Sequence, residues 1–255
     1  MPDLSGKVAI VTGCASGIGA ATVRRLRADG AEVLGTDVNA DWGKNVCAET
    51  GAVFAYQDVA DIAAWPQVVA EATQRWGRLD ILVNNAGTVS SLSIEDVTDE
   101  AWDRIYDINI KGTMAGCRAA IAAMKANPGR SSGSIINISS TSAIGALPSD
   151  VAYCSSKAAV RALSKSVATH CAKAGYNIRC NTIIPGATDT NILAQAENVA
   201  PGLKEAVAAT VPLNRLADPA ETAAAIAFLA SDECNYMTGS EMVVDGAMMS
   251  IHPGF

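Results

Sequence analysis

The sequence predicts a doubly wound, seven-stranded parallel α/β sheet with helices on both faces. Three observations predict it. Seven apolar runs of three to seven residues recur along the chain. Longer amphipathic segments separate them. The residue groups that carry chemistry fall just after the runs, and such sheets bind ligands beyond the carboxyl ends of their strands.

The first run, Val8 to Val11, lacks polar alternation, so it reads as a strand buried on both faces. A helix over 17–29 follows, and Gly30 stands where its carboxyl end should lie. Runs at 32–35 and 52–55 supply the second and third strands. A helix over 62–76 leads to the fourth strand at 79–83, and a helix over 99–126 leads to the fifth at 134–138. The segment 151–173 is helical and ends near Gly175, before the sixth strand at 178–184. A last helix over 219–230 precedes the seventh strand at 242–244. No repeat, low-complexity tract or Pro/Ser-rich linker interrupts the pattern, so residues 1–255 read as one domain.

With 49% hydrophobic and 18% charged residues the chain supports a large core. Its net charge of -7 argues against nucleic acid and anionic membranes as partners. No apolar run approaches the roughly 18 residues of a membrane span. The start lacks a secretory apolar region, which predicts the cytoplasm. Cys14, Cys47, Cys117, Cys154, Cys171, Cys180 and Cys234 include no CxxC pair and read as small buried apolar residues. His170 and His252 are the only histidines and supply no zinc ligand set, so no metal is expected.

After the first run comes Thr12-Gly13-Cys14-Ala15-Ser16-Gly17-Ile18-Gly19. Gly13 suits a tight turn, while Gly17 and Gly19 let backbone N–H groups and a helix start approach a pyrophosphate. The spacing is GxxxGxG rather than GxGxxG, and a ligand-free structural turn is the alternative. Asp37 ends the second strand, 18 residues beyond Gly19. A carboxylate there accepts from both adenosine ribose hydroxyls and repels a 2′-phosphate, which favours NAD over NADP. Its alternative is a cap for the next helix. Asp58 and Val59 follow the third strand, where the carboxylate suits an adenine amino group. Asn85, Ala86 and Gly87 follow the fourth, where small residues let adenosine approach the backbone.

Tyr153 and Lys157 stand four apart on one helix face. A nearby ammonium and a positive nicotinamide ring would lower the phenol pKa from its ordinary value near 10, so that Tyr153 exchanges protons with an alcohol. A plain surface Tyr–Lys pair is the alternative.

Together, TGxxxGxG at 12–19, NNAG at 84–87, Ser140 placed 13 residues before Tyr153, and YxxxK at 153–157 resemble the short-chain dehydrogenase/reductase family along essentially the whole chain. The resemblance implies a Rossmann-type fold and a nicotinamide cofactor. It implies a tetrad: Tyr153 as general acid/base, Lys157 holding the nicotinamide ribose, Ser140 steadying the substrate oxygen, and Asn109 anchoring a water in a proton relay. By composition alone Asn109 would be a helix-surface residue. The resemblance also places Gly13, Ser16, Gly17, Ile18 and Gly19 at the pyrophosphate. Pro185, Gly186, Thr188 and Thr190 match the PGxxxT segment, with Thr190 at the carboxamide. Val243 to Gly246 resemble a last strand that packs in a homotetramer, with Ala247 replacing a frequent glycine.

The resemblance makes two regions the walls of a substrate pocket. One is 141–152, with Ile144, Gly145, Ala146, Leu147 and Pro148. The other is the loop about 187–216, with Ile192, Leu193, Ala194, Val199, Leu203, Val207, Val211 and Leu213. Charges there are few: Asp189, Glu197, Lys204, Glu205 and Arg215. An apolar pocket suits a hydrophobic or cyclic secondary alcohol or ketone; simple packing of the loop onto the domain is the alternative. Segments 116–125, 172–179 and 228–233 are further similar to bacterial 3β/17β-hydroxysteroid dehydrogenases. Two other functions compete. A 3-oxoacyl-carrier-protein reductase would prefer NADPH and a basic docking face, for which Lys111, Arg118, Lys125 and Arg130 are the candidates. A non-catalytic NAD-binding regulator would have lost part of the tetrad, which is complete here.

Overall fold

The computed structural model describes residues 2–129, 131–191, 193–194 and 201–250. Arg130, Ile192, Glu197, Val199 and His252, named above, lie outside the described residues, as does part of the 187–216 loop.

Seven strands form one parallel sheet: β1 (Val8–Thr12), β2 (Glu32–Asp37), β3 (Val53–Tyr56), β4 (Ile81–Asn84), β5 (Ser132–Ile138), β6 (Asn177–Pro185) and β7 (Glu241–Val244). Their order is β3-β2-β1-β4-β5-β6-β7. The helices are α1 (Gly17–Ala28), α2 (Ala40–Thr50), α3 (Trp65–Trp76), α4 (Asp99–Tyr106), α5 (Thr113–Lys125), α6 (Val151–Lys173), α7 (Leu203–Ala209) and α8 (Pro219–Ala230). The doubly wound parallel architecture is therefore as the alternation of runs predicts.

Side-chain alternation along the strands feeds two cores. Ala9, Val11, Ile81, Val83, Ile136 and Ile138 point to one face and pack with Val23 and Leu26 of α1 and Ile226 and Leu229 of α8. Val8, Ile10, Leu82 and Ile135 point to the other and meet Trp65, Val68 and Val69 of α3, Ala120 and Met124 of α5, and Ala168 and Cys171 of α6. Burial on both faces holds for β1 and β4 but not for the edges: β3 and β7 have no fully buried residue. An edge strand lacks the second neighbour, and its apolar run overstates its burial.

Gly30 (φ +97°) and Gly175 (φ +74°) do follow the ends of α1 and α6 in the left-handed region that favours glycine. The predicted helix over 99–126 is instead interrupted. A π-turn, Asp107–Gly112, separates α4 from α5. The coarse apolar pattern of 99–126 does not reveal it, and such bulges cluster at functional sites.

Strand order reverses between β1 and β4, so the chain leaves these neighbours in opposite directions and opens a crevice at their carboxyl ends. Among the described residues, no helix is long and apolar enough to cross a membrane.

Candidate active site

The turn between β1 and α1 forms one wall of the crevice. Gly13 (φ +68°) and Gly17 (φ +53°) sit in the left-handed region. A β-carbon on Gly13 would lie 2.8 Å from Asn85 Nδ2, and one on Gly17 would lie 3.1 Å from the Thr190 methyl. At Gly19 close packing alone demands glycine: a β-carbon there would overlap the Gly13 carbonyl oxygen and stand 2.6 Å from Asn85 Nδ2. It is glycine so that the helix can close against the turn. Ser16 precedes α1 with extended backbone and makes no side-chain cap bond, so its hydroxyl and the first amides of α1, beside Ile18, remain for an anion.

Asn85 braces this turn. Its Nδ2 donates to the Thr12 and Gly13 carbonyls at 2.9 and 3.2 Å, and Thr12 Oγ1 accepts from the amides of Asn85 and Ala86, each at 3.0 Å. The Asn85 side-chain nitrogen is thus occupied by the protein itself. Asp37 is also held: its carboxylate accepts from Ala15 N at 3.0 Å and Asn39 N at 2.8 Å. The cap of α2 is Asn39, not Asp37.

A cleft of about 750 Å³ runs from Gly13 and Asp37 past Gln57, Asp58 and Val59 to Ala86, Gly87 and Thr88. Glu100, Asp103, Arg104, Asp107 and Ile108 close its other side. Asp58 is exposed and accepts from Ala60 N. Gln57, absent from the sequence reading, is buried; its Oε1 accepts from Thr36 Oγ1 at 2.7 Å, while its Nε2 has no partner. A glycine cradle, an unused serine hydroxyl and an orphaned amide beside an adenosine-sized cleft fit a dinucleotide. No sequence signal distinguishes Gln57 from an ordinary surface glutamine.

The second wall comes from β5, the π-turn and α6. Lys157 is buried, and its Nζ donates to the Ile138 carbonyl at 2.9 Å. The same Nζ would lie 3.2 Å from a β-carbon on Gly87, and Asn109 Oδ1 would lie 3.3 Å from it. Gly87 thus lets the strand end approach both groups. Asn109 is buried rather than on a helix surface. Its Oδ1 accepts from Thr88 N at 2.9 Å, and its Nδ2 donates to Thr88 O and Ser156 Oγ, each at 3.0 Å. The π-turn orients this amide inward. Its backbone carbonyl accepts from Thr113 Oγ1 at 2.8 Å.

Ser140 lies two residues beyond the end of β5, with its hydroxyl accepting from Ser142 N at 3.1 Å. Tyr153, one turn from Lys157, has its ring 5.7 Å from the Lys157 ammonium. The expected lowering of the Tyr153 pKa is not what the protein alone produces. Burial raises it, and a hydrogen bond with Ser140 only partly offsets this. Burial also lowers Lys157 to about 8. Desolvation disfavours the charged form of each group, and at 5.7 Å the ammonium does not reverse it.

Pro185 ends β6, and Gly186 lies so close to Asp245 that a β-carbon would meet its Cα at 2.7 Å. Thr188 is buried and bridges to Ala217, which fixes the start of the loop. Thr190 lies against Gly17, at the glycine turn. Ile144 and Leu147 on one side and Leu213 on the other are about half exposed or more, and Gly145 faces Met249. Three of the loop charges are satisfied within the protein: Asp189 pairs with Lys204 at 2.6 Å, and Arg215 with Glu221 at 2.7 Å.

Comparison with known proteins agrees with this arrangement. Residues 13–248 match the family model described as Enoyl-(Acyl carrier protein) reductase. The chain is 38% identical to the 2,5-dichloro-2,5-cyclohexadiene-1,4-diol dehydrogenase of Sphingobium indicum, over 95% of this chain and 96% of that one. It is 39% identical to the 3-beta-hydroxysteroid dehydrogenase of Comamonas testosteroni, over 97% and 98%. It is 37% identical to the NADP-dependent (R)-specific alcohol dehydrogenase of Lentilactobacillus kefiri, over 95% and 96%. The chain belongs to the short-chain dehydrogenase/reductase family. As a short-chain dehydrogenase/reductase it is an oxidoreductase that works with a nicotinamide cofactor. The likeness to hydroxysteroid dehydrogenases read in the sequence is present among its relatives.

Proposed function

We propose that the protein is an NAD-dependent dehydrogenase that interconverts a hydrophobic, cyclic secondary alcohol and its ketone. One observation carries this reading: Lys157 and Asn109 meet at Gly87, which lines a dinucleotide-sized cleft, while Tyr153 lies one helical turn from Lys157 and hydrogen-bonds with Ser140. When bound, a nicotinamide cofactor would supply acceptance or return of the hydride of the alcohol carbon. Tyr153 takes the hydroxyl proton in oxidation and gives it back in reduction. Ser140 hydrogen-bonds the substrate oxygen, where negative charge develops. Lys157, fixed by the Ile138 carbonyl, holds its positive charge beside the phenol and reaches the nicotinamide ribose. Asn109 orders the Thr88 segment and carries the relay water. Gly13, Ser16, Gly17, Ile18 and Gly19 form the pyrophosphate cradle. Asp37, Asp58, Val59, Asn85, Ala86 and Gly87 flank the adenosine half, and Pro185, Gly186, Thr188 and Thr190 flank the nicotinamide half.

The NAD preference rests on charge. Asp37, Asp58, Glu100, Asp103 and Asp107 line the cleft, against Arg104 as the cation there. A 2′-phosphate entering this field is repelled. The cyclic substrate rests on the apolar rim of Ile144, Leu147 and Leu213, and on relatives named for cyclic diols and hydroxysteroids. We read the whole chain as one catalytic domain, working as a cytoplasmic homotetramer. Following reduced-nicotinamide absorbance with NAD or NADP and a panel of cyclohexanols, hydroxysteroids, linear alcohols and 3-hydroxyacyl thioesters tests the proposal. NAD-linked oxidation of a cyclic alcohol, lost in Tyr153→Phe, is expected. NADP-linked turnover of thioesters alone would transfer the assignment to a 3-oxoacyl-carrier-protein reductase. Tight NAD binding with full biological activity in Tyr153→Phe would transfer it to a regulator.

A further inference from the structure

Asp150 caps α6 three residues before Tyr153 and is only 4% exposed. Its carboxylate accepts from Tyr153 N at 3.3 Å. It also accepts from Ser90 N at 3.1 Å, from Ser91 N at 3.0 Å and from the Ser90 hydroxyl. Each of these partners is a neutral donor. A helix cap needs no such burial, since an exposed serine or asparagine performs it as well. A buried carboxylate without a cation costs several kcal/mol of desolvation, which neutral donors and a helix start must offset. Residues that break a local stability rule in this way mark functional sites.

What Asp150 joins is specific. Ser90 and Ser91 belong to the segment leaving β4, directly after Gly87, which lies against Lys157 and Asn109. Ser91 has φ +56°, a left-handed conformation unusual for a residue with a β-carbon, and the Asp150 carboxylate holds its amide. Val151 N donates to Leu92 O at 3.2 Å, which continues the seam. Thr88, two residues before Ser90, is fixed by Asn109. One side chain therefore ties the amino end of the helix bearing Tyr153 to the segment that follows the cofactor cleft.

We propose that Asp150 is a positioning residue that sets Tyr153 against the cofactor side of the site by clamping residues 90–91 to the start of α6. The inference rests on Tyr153 as the proton-exchanging group. Three variants test it: Asp150→Ala, Asp150→Asn, which keeps one acceptor oxygen, and Tyr153→Phe as reference. Amide exchange of the 88–92 segment, read by mass spectrometry without substrate, should quicken about tenfold in Asp150→Ala, the change expected from losing a buried hydrogen bond of about 1.4 kcal/mol. Oxidation of cyclohexanol or a 3-hydroxysteroid should show kcat about tenfold lower in Asp150→Ala and intermediate in Asp150→Asn, because small displacements of a proton-transfer group are costly. Affinity for reduced nicotinamide cofactor should stay within about twofold, because no cradle contact is lost. Unchanged exchange in 88–92, or unchanged kcat in both Asp150 variants while Tyr153→Phe is inactive, overturns this inference and leaves the proposed function standing. A fully active Tyr153→Phe overturns both. If Asp150→Ala does not fold, Ser90→Ala removes one clamp donor from the other side, and the same exchange and kcat changes are expected at smaller size.

Discussion

The two walls of the cleft are built by opposite means. Around β1 and α1 the structure depends on side chains that are missing. Gly13 and Gly19 bring backbone against backbone, and Asn85 fills the little space left with hydrogen bonds to carbonyls. Around α6 it depends on buried polar side chains, each with a specified partner: Lys157 with Ile138 O, Asn109 with Thr88 and Ser156, Ser139 Oγ with Lys157 O. The first wall has no room to change and the second no polar group to spare. Substitutions should therefore damage binding and folding together on the first wall, and chemistry apart from folding on the second.

The sharpest test of that separation is Tyr153→Phe. It removes one oxygen and no packing, so the fold and cofactor affinity should survive. Turnover should fall about a thousandfold, within the range for loss of a general acid/base, as read by cofactor absorbance. Gly19→Ala is the converse. The added methyl overlaps the Gly13 carbonyl, and relief requires moving the turn or the helix. Overpacking of this kind costs about 3 kcal/mol, visible as a lower thermal midpoint accompanied by weak cofactor binding. A Gly19→Ala protein of normal stability that bound cofactor normally would break the comparison.

The contrast also explains what the sequence could disclose. Strand runs, glycines at α1 and α6 ends, and the tetrad spacing are local patterns, and they are legible. Gly19 was legible as a glycine but not by its reason, since the carbonyl it admits belongs to a residue six positions earlier. Asn109 looks like a surface residue because no periodicity announces the π-turn that points it inward. The tie of Asp150 to Ser90 spans 60 residues and appears only in three dimensions. The Tyr153–Lys157 spacing reveals the ammonium but conceals the burial that opposes it.

A pH experiment sharpens the second wall. Lys157 has a folded pKa near 8, below its ordinary 10.5. Below about 8 it is charged in both folded and unfolded states, and burial of the charge weakens the fold. Between pH 8 and 10.5 the unfolded chain binds more protons than the folded one, so the Lys157 contribution makes stability rise with pH. The rise amounts to at most about 3 kcal/mol at 1.4 kcal/mol per pKa unit. Lys157→Met should flatten that part of a denaturant-midpoint profile while abolishing turnover. A wild-type profile that matched the variant across this window would mean that Lys157 is better solvated than its burial implies.

The smallest expected effect tests the first wall where it carries charge rather than shape. Asp37 accepts from Ala15 and Asn39 amides, so a serine in its place keeps an acceptor near the turn and removes the negative charge. The ratio of kcat/KM for NAD over NADP should fall about tenfold in Asp37→Ser, or about 1.4 kcal/mol. It should not invert. Asp58, Glu100 and Asp103 still line the cleft, although Asp107 is compensated by Lys111 at 2.5 Å and Arg104 opposes the rest. Reversal by this one substitution would mean that Asp37 alone excludes the 2′-phosphate and the other carboxylates are too well solvated to matter. No change at all would mean that the hydrogen bonds from Ala15 and Asn39 already spend the Asp37 carboxylate on holding the turn, which would make the adenosine wall a matter of shape throughout.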